Sequence, residues 1–322
     1  MSQPLVSVLV RSVDRPTLSR ALASIAQQDY PNVEAIVVAA SAAHRELPDR
    51  CGPFPLRLVR ASRPLARADA ANAALGAARG EWLNLLDDDD ELLPSHVARL
   101  RAALDAEPGF LLAHSVSEDR DSGGRVLGRY GGRFKPWRQL DTGFFRPHCA
   151  MFARALVDGG ARFDPAFGIL EDMDFFIQCA QRTPFLFVAE ATTRYYADAG
   201  NSGAGAGSNR DEARIADAVA RLRAKWSGLE TALRATPEFR AEQALFLIEN
   251  GYPDDAVPLV AGLLRDDPRS VDARILNVLQ LVARGDVERA RPVLDAIGDA
   301  APRVEDLARR LDQVRSRIAI PR

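Results

Sequence analysis

Trp82-Leu83-Asn84-Leu85-Leu86-Asp87-Asp88-Asp89-Asp90 sets an apolar run directly against four consecutive carboxylates. An apolar run this short, ending in turn-forming acids, reads as a buried strand. Acids crowded at its end are costly, because two like charges roughly 4 Å apart repel by about 4 kcal/mol at an effective dielectric near 20. A divalent cation removes that cost, and a hard ion such as Mg²⁺ is held by one or two carboxylates together with substrate phosphates. Asp87 and Asp89, two apart, point the same way in an extended segment. An acidic loop capping the following helix would carry the same residues, since Pro94 suits a first helical position and acids suit the turn before it. The flanking sequence decides between the two.

Upstream, the runs 6–10, 34–38 and 56–59 are also short and β-rich, and helical patterns at 17–28 and 67–78 separate them from one another and from 82–86. That alternation predicts an α/β domain with a mainly parallel, doubly wound sheet flanked by helices. Ligands in such sheets sit at the carboxyl ends of the strands. Two chemically loaded segments fall there: Arg11-Ser12-Val13-Asp14 after the first strand and the acidic run after the fourth. From 110 to 196 the pattern loosens into an α+β region that belongs to the same domain.

The 322 residues suit about two domains, and 47% hydrophobic with 27% charged excludes a disordered or fibrous chain. Lys+Arg 42 against Asp+Glu 44 leaves a net charge of −2, so the chain as a whole carries no footprint for nucleic acid. Three widely spaced cysteines, Cys51, Cys149 and Cys179, form no metal-ligand pattern and fit a reducing compartment. The N-terminus lacks a basic leader with a small-residue cleavage site, and no run approaches the ~18 uncharged apolar residues of a membrane span. A cytoplasmic protein is expected, with no transmembrane segment and at most a peripheral place at the inner face of the membrane.

The order of motifs resembles family 2 glycosyltransferases of the GT-A fold. Residues 4–16 are similar to that family's opening strand and nucleotide loop. Gln28-Asp29-Tyr30-Pro31-Asn32-Val33-Glu34 resembles the end of its next helix. Arg67-Ala-Asp-Ala-Ala-Asn72, followed by 78–90, resembles the run into its Asp-x-Asp motif, and Leu170-Glu171-Asp172-Met173-Asp174 resembles its acceptor-side Glu-Asp segment.

The resemblance implies a metal-dependent, inverting transferase that moves a sugar from a nucleotide-diphosphate donor, UDP being favoured, to a hydroxyl of a glycan, lipid-linked or protein acceptor. A role in bacterial surface glycan or glycoconjugate synthesis follows from the same likeness. Mn²⁺ or Mg²⁺ would be held by Asp89, with Asp87 as its pair and Asp90 behind them. Asp172 would be the general base, with Glu171 beside it. Arg11, Ser12, Asp14, Arg67, Asn72, Asp87 and Asp88 would contact the donor, Arg11 meeting either phosphate or a neighbouring acid. Trp137 is the best aromatic candidate for stacking on an acceptor sugar, and His148 stands between a packing role and a substitute ligand near the acceptor.

Two departures stand out. Where the family has an acid that reads the base, this chain has Val38-Ala39-Ala40-Ser41. Where many members place a metal-contacting histidine, it has Thr193-Arg194-Tyr195-Tyr196, and tyrosine donates to phosphate but ligates Mg²⁺ poorly.

The glycine-rich stretch 198–209 reads as either a lid or a linker. It divides the expected domains: a transferase domain at 1–209, a connecting helix at 210–236 and an all-α domain at 237–322. In the last, Gly251 recurs as Gly285, Ala256 as Ala290, Pro258 as Pro292 and Pro268 as Pro302, a constant offset of about 34 that resembles the tetratricopeptide repeat. Two such repeats fall short of the three usually needed to close a core. They require a capping helix, either 211–226 or 304–318, or docking on the first domain. They also open two functional routes, a protein partner and self-association. The competing functional reading is a catalytically lapsed, transferase-like module that binds nucleotide sugar or protein through these repeats.

Overall fold

The computed structural model describes residues 3–135, 140, 145–200, 204–205, 207–302 and 305–319, with the side chains of 305 and 317–319 left aside. The chain divides into two compact units, Met1–Trp226 and Ser227–Arg322.

In the first unit the parallel half of the sheet is built from β1 (Val6–Ser12), β2 (Val33–Ala39), β4 (Phe54–Arg60) and β5 (Trp82–Asp87), ordered β4-β2-β1-β5. The two-residue β3 (Arg50–Cys51) pairs antiparallel with β4 at the outer edge. Every residue of β1 and β2 is buried, which suits a parallel sheet covered on both faces and explains their unbroken apolar runs. Leu9, Ile36, Leu83 and Leu85 face the alanine-rich helix α2 (Arg67–Ala77), whose Ala71 and Ala74 allow close approach. The alternate residues Val8, Val10, Val37 and Leu86 face α1 (Leu18–Ala26) and α3 (His96–Ala106).

The sheet continues with β9 (Ala150–Ala153), antiparallel to β5, then β7 (Leu112–Arg120), β10 (Leu186–Tyr196) and the two-residue β6 (Glu91–Leu92). The strand β8 (Val126–Tyr130) pairs with β7, and α4 (Arg154–Asp158) follows β9. Thus 110–196 shares one sheet with the N-terminal half. The register Arg11↔Asp87 and Ser12↔Ala39 brings the ends of β1, β2 and β5 to one edge, beneath α5 (Glu171–Ala180).

The helix α6 (Glu212–Lys225) lies within this first unit, so the boundary falls at Trp226 and not at the expected 209. Its end is held by the buried Asp174, which accepts from the Trp226 Nε1–H at 2.8 Å and from Lys225 Nζ at 3.0 Å. Ala218 and Leu222 supply the apolar contact.

The second unit contains α7 (Ser227–Arg234), α8 (Pro237–Glu249), α9 (Val257–Asp266), α10 (Val271–Ala283), α11 (Val287–Ile297) and α12 (Glu305–Ala319). The pairs α8/α9 and α10/α11 turn at Gly251 and Gly285, with φ of 86° and 81°, a region glycine enters without strain. Ala256 and Ala290, at equivalent places, are fully buried. Leu307, Leu311 and Val314 of α12 join this core, so the last helix caps the pairs. Among the described residues no helix is long and apolar enough to cross a membrane.

Candidate functional site

At the carboxyl edge of β1 and β5 a cavity of about 670 Å³ opens, lined by Arg11, Arg15, Arg67, Asp87, Asp89, Asp90 and Asp172 among others. Its walls are set by charge pairing. Arg11 forks Asp87, with Nε–Oδ1 at 2.8 Å and Nη2–Oδ2 at 2.9 Å, and reaches Glu171 Oε1 through Nη1 at 2.5 Å. Arg67 adds Nε to Glu171 Oε1 at 2.9 Å and Nη2 to Asp87 Oδ2 at 3.4 Å. Burial would raise the Asp87 carboxyl, but Arg11 and Arg67 drive it well below the usual range. Glu171 is lowered by the same pair against its own burial. Two guanidiniums and two carboxylates thus neutralise one another, as buried ions must. Of the two roles open to Arg11, the structure shows the acid partner.

Asp172 heads α5 beside Glu171, where the left-handed backbone at Leu170, φ 62°, turns the helix into place. Such a conformation in a non-glycine residue is strained and is often found at functional sites. One Asp172 oxygen accepts from the Met173 N–H at 2.9 Å. Burial and then Glu171 raise its carboxyl to about 6, with Arg67 opposing. Away from the acidic cluster at the end of β5, it is the cavity carboxylate whose raised proton affinity suits a proton acceptor.

Asp87, Asp89 and Asp90 each offer an oxygen within 4.8 Å of the others. That donor set fits a hard divalent cation. Asp89 has the least committed carboxylate of the three: its ion pair is with Arg15 at 3.8 Å, while burial, Asp90 and Asp87 push it up to about 7. A carboxylate in that position gains most from a cation. Asp90 stands in the cluster itself and not behind it. One of its oxygens accepts from the Tyr196 N–H at 3.1 Å, and the other lies 3.2 Å from His148 Nδ1.

Three residues read as donor contacts are occupied otherwise. Asp88 is fully buried and accepts from Ser12 Oγ and Val13 N, both at 2.9 Å, and from Arg15, so it braces the loop after β1. Asp14, at φ 69°, turns its carboxylate to Arg45, accepting from the backbone N–H at 2.8 Å and facing Nε at 3.2 Å. Asn72 is a clamp: Nδ2 donates to Phe163 O at 2.7 Å and Oδ1 accepts from Phe163 N at 3.0 Å. Losing both bonds of a partly buried amide costs about 1–3 kcal/mol. Asn72→Ala is therefore expected to lower the midpoint of unfolding while nucleotide affinity, read by calorimetric titration, stays within about twofold.

Ser12 lines the cavity, but its hydroxyl is shared between Asp88 and His44 Nε2, the latter at 2.9 Å. Trp137 lies outside the described residues. His148 is buried and paired with Asp90, which sequence spacing alone does not reveal. Sequence reading also missed Arg146. Its guanidinium lies between the rings of Tyr130, 4.4 Å away, and Tyr195, 4.1 Å away, and all three line the cavity.

The glycine-rich stretch contributes Ala199, Gly200, Ala204 and Asn209 to the lining, and Arg210 and Arg214 follow. A Cβ on Gly200, at φ 80°, would sit 2.5 Å from Asp89 Oδ2, so only glycine fits there. Its described part packs over the acidic cluster rather than spacing two domains.

Residues 7–160 match the family model described as Glycosyl transferase family 2. An uncharacterised protein of Sinorhizobium fredii is 28% identical over 227 residues, 64% of this chain and 24% of its own length. This chain thus spans about a quarter of that relative. An uncharacterised glycosyltransferase of Methanocaldococcus jannaschii is 22% identical, over 61% of this chain and 71% of its own. The succinoglycan biosynthesis protein ExoO of Rhizobium meliloti is 34% identical over 96 residues, 28% of this chain and 26% of its own length. The crystal structure of S. aureus TarS 1–349 in complex with UDP-GlcNAc superposes with a TM-score of 0.56 at 17% identity, covering 90% of each chain. That last likeness is one of fold.

Proposed function

We propose that the N-terminal unit, whose residues 7–160 match the Glycosyl transferase family 2 model and whose sheet is GT-A-like, moves a sugar, with inversion, from a nucleotide-diphosphate donor to an acceptor hydroxyl with the help of Mn²⁺ or Mg²⁺. The observation that carries this reading is the meeting, in one cavity, of a carboxylate with a raised proton affinity and no ion pair among the described residues, Asp172, and the acidic cluster of Asp87, Asp89 and Asp90. At about 670 Å³ the cavity is of ligand size.

Asp172 takes the proton of the acceptor hydroxyl as its oxygen attacks the anomeric carbon. The bond from that carbon to the diphosphate oxygen breaks, and the nucleoside diphosphate leaves. Asp89, with Asp90 and Asp87, would hold the cation, which when bound offsets the charge growing on the leaving diphosphate. Arg67 and Arg11 keep Asp87 and Glu171 ionised and leave Asp172 as the proton acceptor.

UDP is the favoured donor base, supported by the UDP-GlcNAc complex of the TarS neighbour. The alanines at 39 and 40 leave no acid to read it from the second strand. The ExoO relative supports an acceptor in a surface polysaccharide, and an acceptor of that kind would suit an enzyme of the cytoplasm or of the inner membrane face. The helical pairs of the second unit would serve a protein partner or a second copy.

Thermal unfolding with UDP, dTDP, GDP and CDP, with and without Mn²⁺ or Mg²⁺, tests the reading. A ligand at a hundred times its dissociation constant adds about 2.7 kcal/mol, a rise of roughly 5 to 10 °C for a unit of this size. A metal-dependent rise with one nucleotide is expected. No rise with any of them would overturn the proposal in favour of a lapsed, binding-only domain.

The raised carboxyl of Asp172 sets a pH dependence. A general base works ionised, so kcat/KM is expected to be flat above about pH 7 and to fall about tenfold per unit below pH 6. A pH–rate profile without an acidic limb near 6 would remove Asp172 from that role.

A further inference from the structure

Tyr195 lies in the stretch 193–196, where many family members carry a metal-contacting histidine, and its ring stacks at 4.1 Å on the guanidinium of Arg146. Its other neighbour is the imidazole of His148, whose ring lies 6.2 Å away and nearly parallel, at 20°. His148 itself is 2% exposed. Its Nδ1 lies 3.2 Å from Asp90 Oδ2, and its Nε2 is buried with no hydrogen-bond partner among the described residues.

The backbone of His148 is tied to the strand that carries Asp87. The amide of Asn84, in the middle of β5, donates to the carbonyls of His148 at 3.1 Å and Ala150 at 2.7 Å. His148 is thus fixed by main-chain bonds below and a ring above, with one polar edge directed at a member of the acidic cluster. A buried imidazole that turns one ring nitrogen to a carboxylate, while its other nitrogen has no hydrogen-bond partner among the described residues, is placed to hold that carboxylate.

We propose that His148 is a positioning residue for the divalent-cation site: an Nδ1–H facing Asp90 Oδ2 fixes that carboxylate so that Asp90 serves where a histidine ligand is missing. The inference rests on the cation-dependent reading above and deepens it. The cation site is then all carboxylate, Asp89 and Asp90 with Asp87, and the histidine acts one step back. Groups that orient a metal ligand in this way change metal affinity about 10- to 100-fold when they are lost.

The test uses the full chain and Mn²⁺ alone, followed by electron paramagnetic resonance of free Mn²⁺, with unfolding midpoints in chelator as the folding control. An asparagine amide falls near Nδ1 of the ring it replaces, and a glutamine amide near Nε2. His148→Asn is therefore expected to keep the Mn²⁺ dissociation constant within about threefold of wild type, and His148→Gln to raise it at least about tenfold. Combining His148→Gln with Asp90→Asn is expected to weaken binding no further than Asp90→Asn alone, because one acts through the other. Equal affinity in both His148 variants, or additive losses in the double variant, would overturn the positioning role. If wild type and Asp89→Ala bind Mn²⁺ equally, the cation reading itself fails, an outcome distinct from either.

Discussion

Asp172→Asn is expected to lower kcat by about three orders of magnitude while leaving donor affinity and the fold intact. The substitution keeps the shape of the side chain and removes its capacity to take a proton, a contribution of about 10²- to 10⁴-fold when lost. The amide oxygen can still accept from the Met173 N–H, so the start of α5 is preserved. The electrostatics add a second expectation with opposite sign. Burial and Glu171 raise the Asp172 carboxyl to about 6, above its ordinary value, so the proton binds more tightly in the folded state. Above that pH the ionised group opposes folding, and the neutral amide relieves it. The variant at pH 8 should therefore unfold at the same temperature as wild type or a few degrees higher. Loss of activity coupled to unchanged or increased stability marks a group kept for chemistry. Activity near wild type would sink the assignment, and a fall in midpoint would recast Asp172 as structural.

The parts of the fold that could be read from sequence are those fixed by short-range rules. The strands β1, β2, β4 and β5 announce themselves as apolar runs because both faces of a parallel sheet are covered, and their alternation with α1 and α2 dictates which ends carry the site. The Gly251 and Gly285 turns are visible because glycine answers a local backbone demand. What stayed hidden depends on pairing across long stretches of chain. Arg11 and Glu171 lie on different elements and meet only when α5 settles over β1. In the run of four acids, nothing local says that Asp88 turns inward under the β1 loop, that Asp90 faces His148, and that Asp89 is left facing the cavity. Asn72 resembles a donor contact on its helix, yet its amide pairs with the backbone of Phe163. α6, polar enough to pass for a connector, is retained by Lys225 and Trp226 on one buried carboxylate.

The four acids offer the second large effect, because neighbours alike in sequence should separate cleanly by experiment. Asp89→Ala is expected to abolish the Mn²⁺-dependent part of nucleotide binding and to cut transfer by about a thousandfold or more, since the cation is asked to supply several kcal/mol of charge stabilisation to the leaving diphosphate. Its folded state without metal should not suffer. Burial, Asp90 and Asp87 already push the Asp89 carboxyl up to about 7, so removing it relieves repulsion that only a cation would otherwise offset. Asp88→Ala should do the reverse. It strips the acceptor from Ser12 Oγ, from the Val13 N–H and from Arg15, leaving buried donors unsatisfied at about 1–3 kcal/mol each. Its midpoint of unfolding should drop by several degrees, whereas Mn²⁺ affinity in the fraction that remains folded should stay near wild type. Unfolding in chelator beside Mn²⁺ titration distinguishes the two variants on orthogonal axes. If Asp88→Ala loses the metal and Asp89→Ala loses the fold, the geometry at the end of β5 has been assigned to the wrong carboxylates, and the cavity must be rebuilt around a cation placed beneath the β1 loop.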